Sequence, residues 1–313
     1  MDRALWWNKN RLRCALPASL LAGGLVWIAA RGLVRLPTDS VSRFMSTEVD
    51  GHSHKSGIQT EAQQAAEEAS SAHTPPAIAE ILRKDPRGSN AEDRGCVWEF
   101  LRQLWGDAFK RDADWLLGAD EALNWLRGAT QAGPEVEVGL VELATNSLRP
   151  NALREYAMQH LGIWAEEHAA GPRVLEAFHR TIVEETALPL SGVALLALTR
   201  SRFSQQERAW IHDQALHLAG ITSANVLTRT AALQVAGQLG FVEAEPSARK
   251  AFKEAGTVNE RIIALQVLGW VGSRDTLNWL AAVGEDSEPM VCVAQRQALR
   301  LLRTRWERLP SNP

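Results

Sequence analysis

Two stretches of ten residues decide the fold: Leu153-Arg-Glu-Tyr-Ala-Met-Gln-His-Leu-Gly162 and Glu260-Arg-Ile-Ile-Ala-Leu-Gln-Val-Leu-Gly269. In both, an Arg is followed by Ala three residues later, by Leu seven residues later and by Gly eight residues later. The stretch Thr228-Arg-Thr-Ala-Ala-Leu-Gln-Val-Ala-Gly237 repeats this pattern, with Ala236 in the Leu position. Small and apolar residues at such spacings share one face of a helix. The pattern therefore predicts several helices of one kind.

Two further copies are less complete. Ser191-Gly-Val-Ala-Leu-Leu-Ala-Leu198 lacks the Arg, and Cys292-Val-Ala-Gln-Arg-Gln-Ala-Leu299 has Ala294 one place early. The five copies start at 154, 191, 229, 261 and 292, with spacings of 37, 38, 32 and 31 residues. Two antiparallel helices and their turns need about 30–45 residues, so each copy predicts one helix pair.

Each feature of the pattern has an expected role in packing. The Ala lets neighbouring helices approach, the Leu fills the seam between them, and the Gly near the end of the first helix permits a sharp reversal. Stacked pairs share one continuous core, because no pair can bury its apolar face alone. The predicted core anchors are Ala157, Leu161, Ala194, Leu198, Ala232, Ala236, Ala264, Leu268, Ala298 and Leu299.

Pro and Gly at short intervals separate the apolar runs and set the predicted helix boundaries. No run alternates as a strand would. The predicted helices span about 92–111, 113–131, 134–148, 150–168, 171–185, 188–200, 204–219, 224–239, 243–254, 257–271, 273–283 and 287–308. The sequence thus predicts an all-α protein.

The repeated pattern resembles HEAT repeats, particularly the short type also found in bilin-lyase-like proteins. The resemblance covers residues 150–308 well and residues 76–149 only in helix length and spacing. It implies an α-solenoid of antiparallel helix pairs, HEAT- or armadillo-like, over residues 76–309. A non-repetitive helical bundle is the alternative. Helical-repeat hydroxylases use His-Glu dipeptides as iron ligands, and this chain contains no such dipeptide.

The N-terminal quarter has a different composition. Residues 1–13 form a basic flank, and Cys14 to Ala30 contains no charged residue. We predict a transmembrane anchor over 14–36, because Arg31 and Arg35 can extend to the headgroups, and a disordered polar linker over 37–75. A cleaved signal peptide and an organelle presequence are alternatives.

The basic flank precedes the span, which favours a cytoplasmic N-terminus. We therefore expect a single-pass protein of a bacterial inner membrane whose C-terminal domain is exported. The alternatives are a domain that faces the cytoplasm and an organelle membrane.

Charge and motifs limit the function classes. Lys and Arg number 34 against 37 Asp and Glu, so no nucleic-acid partner is expected. The sequence has no GxSxG, HExxH, GxxxxGK or GxGxxG motif. Glu176-Ala-Phe-His179 has the spacing of a di-iron ligand pair but no second copy. We predict no catalytic, cofactor-binding or metal-ligating residues, no cofactor and no enzymatic activity.

One charged stripe is a candidate binding patch. Arg296, Arg300 and Arg303 recur at helical spacing near the C-terminus and would suit an anionic partner. The alternative is the polar outer face that a terminal repeat needs for solubility.

The leading functional hypothesis is a membrane-anchored scaffold that binds a protein or peptide partner on the concave face of the solenoid. The alternatives are an enzyme or cofactor-handling lyase with a pocket in the solenoid groove, and a purely structural element.

Overall fold

The computed structural model describes residues 74–104, 114–129, 133–201 and 204–307, within the compact unit Thr74–Pro313. In these ranges the chain forms thirteen α-helices and no strand, so the prediction of an all-α fold is confirmed. The predicted flank 1–13, the predicted anchor 14–36 and all but the end of the predicted linker 37–75 lie outside the described residues. Among the helices that the structure does describe, none combines the length and the apolar character that a membrane span requires.

The helices follow one another closely along the chain. They are α1 (Pro76–Arg83), α2 (Ala91–Gln103), α3 (Asp114–Gly128), α4 (Gly133–Thr145), α5 (Asn151–Glu167), α6 (Pro172–Glu184), α7 (Pro189–Leu198), α8 (Gln205–Gly220), α9 (Val226–Gln238), α10 (Glu245–Glu254), α11 (Val258–Val271), α12 (Arg274–Ala282) and α13 (Pro289–Glu307). Short 3₁₀ turns occupy Pro86–Gly88 and Val242–Ala244.

Helix starts explain why the boundaries were predictable. Pro172 and Pro189 occupy the first positions of α6 and α7, where a missing N–H costs nothing. Ser204, Thr257 and Ser273 cap α8, α11 and α12 by accepting a hydrogen bond from a backbone N–H three residues later. From α4 onwards the predicted boundaries agree with the structure to within a few residues. Two predictions near the start were wrong: α1 was missed, and α2 ends at residue 103 rather than 111.

The helices that carry the repeated pattern form one row. In this patterned row, α5, α7, α9, α11 and α13 each pack against the next, and α3 packs against α5 at its N-terminal end. An outer row consists of α4, α6, α8, α10 and α12, and each of these lies against the patterned helix that follows it in sequence. The patterned helix is therefore the second helix of its pair, whereas the sequence was interpreted with the patterned helix first.

The glycine that ends the pattern does not make a turn. An added Cβ at Gly162 would lie 2.7 Å from the Cβ of Ala197 on α7, and one at Gly269 would lie 3.1 Å from the Cα of Ala298 on α13. Both glycines lie inside helices, so they permit close approach of successive patterned helices. The predicted role in chain reversal was wrong. The reversal after α9 uses Gly240 instead, with φ of 78°.

The predicted core anchors lie mostly in the interior. Nine of the ten are buried, and Leu299 on the last patterned helix is half-buried. The buried set is Ala157, Leu161, Ala194, Leu198, Ala232, Ala236, Ala264, Leu268 and Ala298.

The Arg of the pattern connects loops to the patterned helices through hydrogen bonds and ion pairs. Arg154 is 1% exposed; its Nε donates to the carbonyl of Ala144 at 3.2 Å, and its Nη2 bonds to Glu185. Arg261 pairs with Asp286 at 2.6 Å. Glu185 and Asp286 both lie in the loop that leads into the next patterned helix. In these two copies the Arg joins one repeat to its successor, whereas Arg229 donates to the carbonyls of Thr222 and Ala224 in the loop before its own helix.

Candidate binding face of the patterned row

A patterned helix inside the row has neighbours on three sides. Successive residues turn by about 100° around a helix. The Gly position faces the following patterned helix, and outer-row helices cover another side. The positions five and nine residues after the start of each copy point to the remaining side, which we call the open face. The open face comprises Gln159, Ile163, Leu196, Arg200, Gln234, Gln238, Gln266, Trp270, Gln297 and Leu301.

Exposure agrees with this geometry at α5 and α11 but not at the centre of α7 and α9, where Leu196 and Gln234 are buried. Gln159 and Ile163 on α5 are half-buried, as are Gln266 and Trp270 on α11. Half-buried apolar and aromatic side chains beside polar ones are typical of protein-binding surfaces. The open face is therefore the candidate site.

Glutamines recur at the centre of the open face. The fifth position is Gln in four of the five copies, and Leu196 stands there in the other. Gln159, Gln266 and Gln297 use their backbone groups within their helices, and their side chains form no hydrogen bond within the described ranges. Gln234 is 2% exposed, and its Oε1 is buried without a partner. A buried amide oxygen without a donor costs about 1–3 kcal/mol at Gln234, whereas the amides of the other three glutamines are accessible to solvent.

The glutamines were not identified from the sequence, although the signal was present. The three complete copies of the pattern all have Gln five residues after the Arg. Only the Arg, Ala, Leu and Gly positions were interpreted, because the side of the helix that faces neither neighbour is not evident from one helix.

Acidic and aromatic side chains gather at the N-terminal end of the row. His160 on α5 is 3% exposed, and its Nε2 lies 2.9 Å from Oδ1 of Asp120 on α3. Burial raises the pKa of Glu155 to about 7, against the opposing charge of Arg154. Burial also raises the pKa of Tyr156, and the carboxylates of Asp120 and Glu155 act in the same direction. We call Asp120, Glu155 and Tyr156 the acidic end of the open face.

The candidate arginine patch lies elsewhere. Arg296 pairs through both nitrogens with Glu285, at 2.8 and 3.0 Å, so its charge is already matched. Arg300 is exposed and stands eight residues after Cys292, where the complete copies have Gly. Arg300 and Arg303 are both exposed and lie on α13, the last patterned helix of the described row.

A separate groove lies between α2 and α4. Its volume is about 500 Å³, and its lining is Gly95, Trp98, Arg102, Pro134, Glu135, Val138, Gly139 and Glu142. The Trp98 ring lies on Gly139, where a Cβ would overlap it, and its Nε1 donates to Glu135 at 3.0 Å. This lining offers carboxylates but no His, Cys or Ser to act with them.

Metal-binding geometry is not found where the structure can be described. No group of three or more His, Cys, Asp or Glu side chains in those ranges could hold a metal ion. His179, in the Glu176–His179 spacing noted in the sequence, lies against the Trp210 ring at 4.1 Å and 2.7 Å from Glu207.

Comparisons with known proteins add little. No family model matches the chain, and no curated protein matches it significantly. Among solved structures, human deoxyhypusine hydroxylase in complex with glycerol matches at 17% identity, over 78% of this chain and 99% of that chain, with a TM-score of 0.29. A TM-score this low supports no conclusion about fold or activity, so the interpretation of this chain depends on its own geometry.

Proposed function

We propose that this chain is a HEAT-like repeat scaffold that binds a protein or peptide partner along the open face. The observation that carries the proposal is the accessible part of that face on α5 and α11, where the half-buried side chains of Gln159 and Gln266 lie. Half-buried Ile163 and Trp270 add apolar area beside them. A partner would hydrogen-bond the amide groups and cover the apolar side chains.

The two rows differ in spacing, which supports a concave open face. The patterned helices approach one another closely at Gly and Ala. The outer helices α8, α10 and α12 stand farther apart and meet through long side chains, as where Arg249 bonds Thr276 and lies over Trp279. A stack with unequal spacing bends towards its tighter row, so the open face is the inner side of the bend.

The anchor is the second part of the proposal. Residues 14–36 hold the chain at a membrane, and residues 37–75 act as a tether. The support is the uncharged run from Cys14 to Ala30 and the polar composition that follows it. The basic flank favours a scaffold on the exported side of a bacterial inner membrane. A C-terminal topology reporter that is active in the cytoplasm would contradict this orientation.

Photo-crosslinking tests the binding proposal. A photoreactive amino acid at Gln159 or Gln266 samples the open face, and the same amino acid at exposed Gln206 on α8 samples the outer row. Expression of the full chain in a bacterial host, followed by irradiation and mass spectrometry, should give the same crosslinked protein from both open-face positions. Crosslinks that are absent from the open face, or equal at Gln206, would reject the proposal.

An enzyme or lyase-like protein is the second candidate, and one observation favours it. Glu155, with its pKa near 7, could exchange protons beside the Asp120–His160 pair. Against it, the groove of about 500 Å³ lies between α2 and α4 rather than at these residues. We favour a scaffold without enzymatic activity. If Glu155→Gln and His160→Asn abolish a chemical modification of the partner but keep the crosslinks, that result would favour the enzyme instead.

A further inference from the structure

We propose that His212 is a proton-dependent clasp between two repeats. Its protonated ring holds both Asp213 on its own helix and Glu243 of the next repeat, and its neutral ring holds only one of them. The clasp joins the outer helix α8 to the turn Val242–Ala244, which leads directly into α10. It controls the spacing of the outer row and requires no bound partner.

The imidazole of His212 lies between two carboxylates. Its Nδ1 is 3.0 Å from Oδ1 of Asp213, and its Nε2 is 3.5 Å from Oε2 of Glu243. A neutral imidazole has one N–H, whereas the imidazolium has an N–H at each nitrogen. Only the charged ring therefore offers a donor to both carboxylates. The neutral ring must release one of them, and Glu243 is released because Asp213 is closer and adjacent in the chain.

The other groups around the ring do not replace the proton. Phe241 lies edge-on to the imidazole, with the ring centroids 4.6 Å apart. Arg208, one turn earlier on α8, donates to the carbonyl of Leu239 at 2.7 Å rather than to either carboxylate. Arg229 on α9, which packs against α8, donates to carbonyls in the loop before its own helix. Among the described residues, no third carboxylate lies within ion-pair distance of the His212 ring.

The clasp opens close to neutral pH. An imidazole ordinarily gains its proton at about pH 6.5. The hydrogen bond to Asp213 and the contact with Glu243 raise the pKa of His212, although burial opposes them. Because the folded value is raised, the stabilising contact is complete below the ordinary value and is lost as pH rises through the folded value. Both partners of the cross-repeat contact are partly exposed, so the effect is on local spacing rather than on the stability of the whole chain.

Loss of this contact loosens the outer row at one place. The next link along the row, between α10 and α12, uses Arg249, which contacts Glu245 and Thr276. An arginine keeps its charge throughout this pH range. A rise in pH should therefore separate α8 from α10 and leave α10 joined to α12. Since α8 and α10 lie against α9 and α11, the angle between those two patterned helices becomes variable as well.

Pulsed electron paramagnetic resonance tests the clasp by measuring this spacing. The full chain in mild detergent, with its three cysteines replaced by serine, carries nitroxide labels at exposed Ala209 on α8 and exposed Lys250 on α10. The distribution of label distances should be narrow at about pH 5.5 and broader at about pH 8. Labels at Lys250 and exposed Asn278 on α12 are the control, and their distribution should be the same at both pH values.

Two variants distinguish competition for one proton from a merely structural contact. Asp213→Ala removes the competing carboxylate, so the neutral ring can donate its single N–H to Glu243, and the distribution should stay narrow at about pH 8. Glu243→Ala removes the partner, and the distribution should be broad at both pH values. Nitrogen-15 spectra of the histidine-labelled chain, assigned through His212→Gln, should show protons on both ring nitrogens at about pH 5.5 and on one at about pH 8.

Three outcomes would overturn the clasp. The first is a wild-type distribution that is the same at both pH values, and the second is an Asp213→Ala distribution that broadens with pH as the wild type does. The third is equal broadening of the Lys250–Asn278 control, which would indicate general loosening of the chain. Since no partner is present in the measurement, none of these outcomes depends on whether the open face binds one.

Discussion

Replacing Gly162 with alanine should destabilise the patterned row at the contact between α5 and α7. The added methyl group would lie 2.7 Å from the Cβ and 2.8 Å from the Cα of Ala197. Carbon atoms in favourable contact are about 3.5–4.0 Å apart, so the two helices must separate by about 1 Å. Neither obstacle can rotate away, because one atom is backbone and the other is fixed to it. Such overpacking costs about 1–3 kcal/mol.

The higher helix propensity of alanine opposes this packing cost, so its contribution must be subtracted from the measured change in stability. Alanine is favoured over glycine inside a helix by about 1 kcal/mol. Gly95 on α2 is the matched control, because it is exposed and an added Cβ there meets nothing within 4 Å. Gly95→Ala should therefore raise stability by up to about 1 kcal/mol. The difference between the two variants isolates the packing cost, with an expected value of about 1–3 kcal/mol.

Urea unfolding of the full chain in mild detergent, followed by far-UV circular dichroism, measures both variants. The dependence of the unfolding free energy on urea concentration must be the same for the two variants, since a repeat array can lose cooperativity when one interface weakens. If Gly162→Ala raises the midpoint as much as Gly95→Ala does, the two patterned helices do not meet at this glycine. That result would contradict the described packing of the row and the open face that depends on it.

Three further changes test other features by the same measurement. Arg154→Met should cost about 3 kcal/mol, because it leaves a partly buried carboxylate without its partner, whereas Arg296→Met breaks an exposed pair and should cost less than about 1 kcal/mol. The rise in the pKa of Glu155 from 4.5 to about 7 means that the folded protein binds the proton more tightly than the unfolded chain. Stability should therefore fall by up to about 3 kcal/mol as pH rises across that interval, and Glu155→Gln should remove the dependence. Glu245→Ala should cost about 1–2 kcal/mol, because its carboxylate accepts hydrogen bonds from the N–H and hydroxyl of Ser273 at the start of α12.

The pH dependence of the Glu245 contribution has the opposite sign. Burial alone would raise the pKa of Glu245, but hydrogen bonds from Thr276 and Ser273 outweigh it and lower the pKa overall. Its contribution is therefore complete above the ordinary glutamate pKa of 4.5 and is lost as pH falls through the lower folded value. Equal effects of Glu245→Ala at neutral and acidic pH would contradict this assignment.

Much of the fold was predictable because the same pattern of packing residues recurs in several helices. The Ala and Leu spacing identified the patterned helices, and Pro and capping residues identified their starts. The order of helices within a pair was not predictable, since alternating helices can be divided into pairs in two ways. The role of Gly162 was misjudged because a glycine near the end of a helical pattern can serve either a turn or a close approach. Only the position of Ala197 distinguishes the two.

The candidate binding face was harder to predict, because it depends on what three neighbours leave uncovered. The same limit applies to the acidic end, where Asp120 and His160 are distant in sequence and meet only through the packing of α3 on α5. The arginine stripe was visible in the sequence, but its partner Glu285 was not. Spacing along one helix predicts which side chains share a side and does not predict what faces them.

The repeats themselves allow one comparison between an apolar and a polar residue at equivalent buried positions. Leu196 occupies the central open-face position of α7 and is buried, so the fold accepts an apolar residue there. Gln234 occupies the equivalent position of α9 at 2% exposure, with its Oε1 lacking a donor. Gln234→Leu should therefore stabilise the chain by about 1–3 kcal/mol, because it removes a buried unsatisfied group.

Gln206→Leu on exposed α8 is the control and should change stability by less than about 0.5 kcal/mol. A loss of stability in Gln234→Leu would instead mean that the amide completes its hydrogen bonds within the chain.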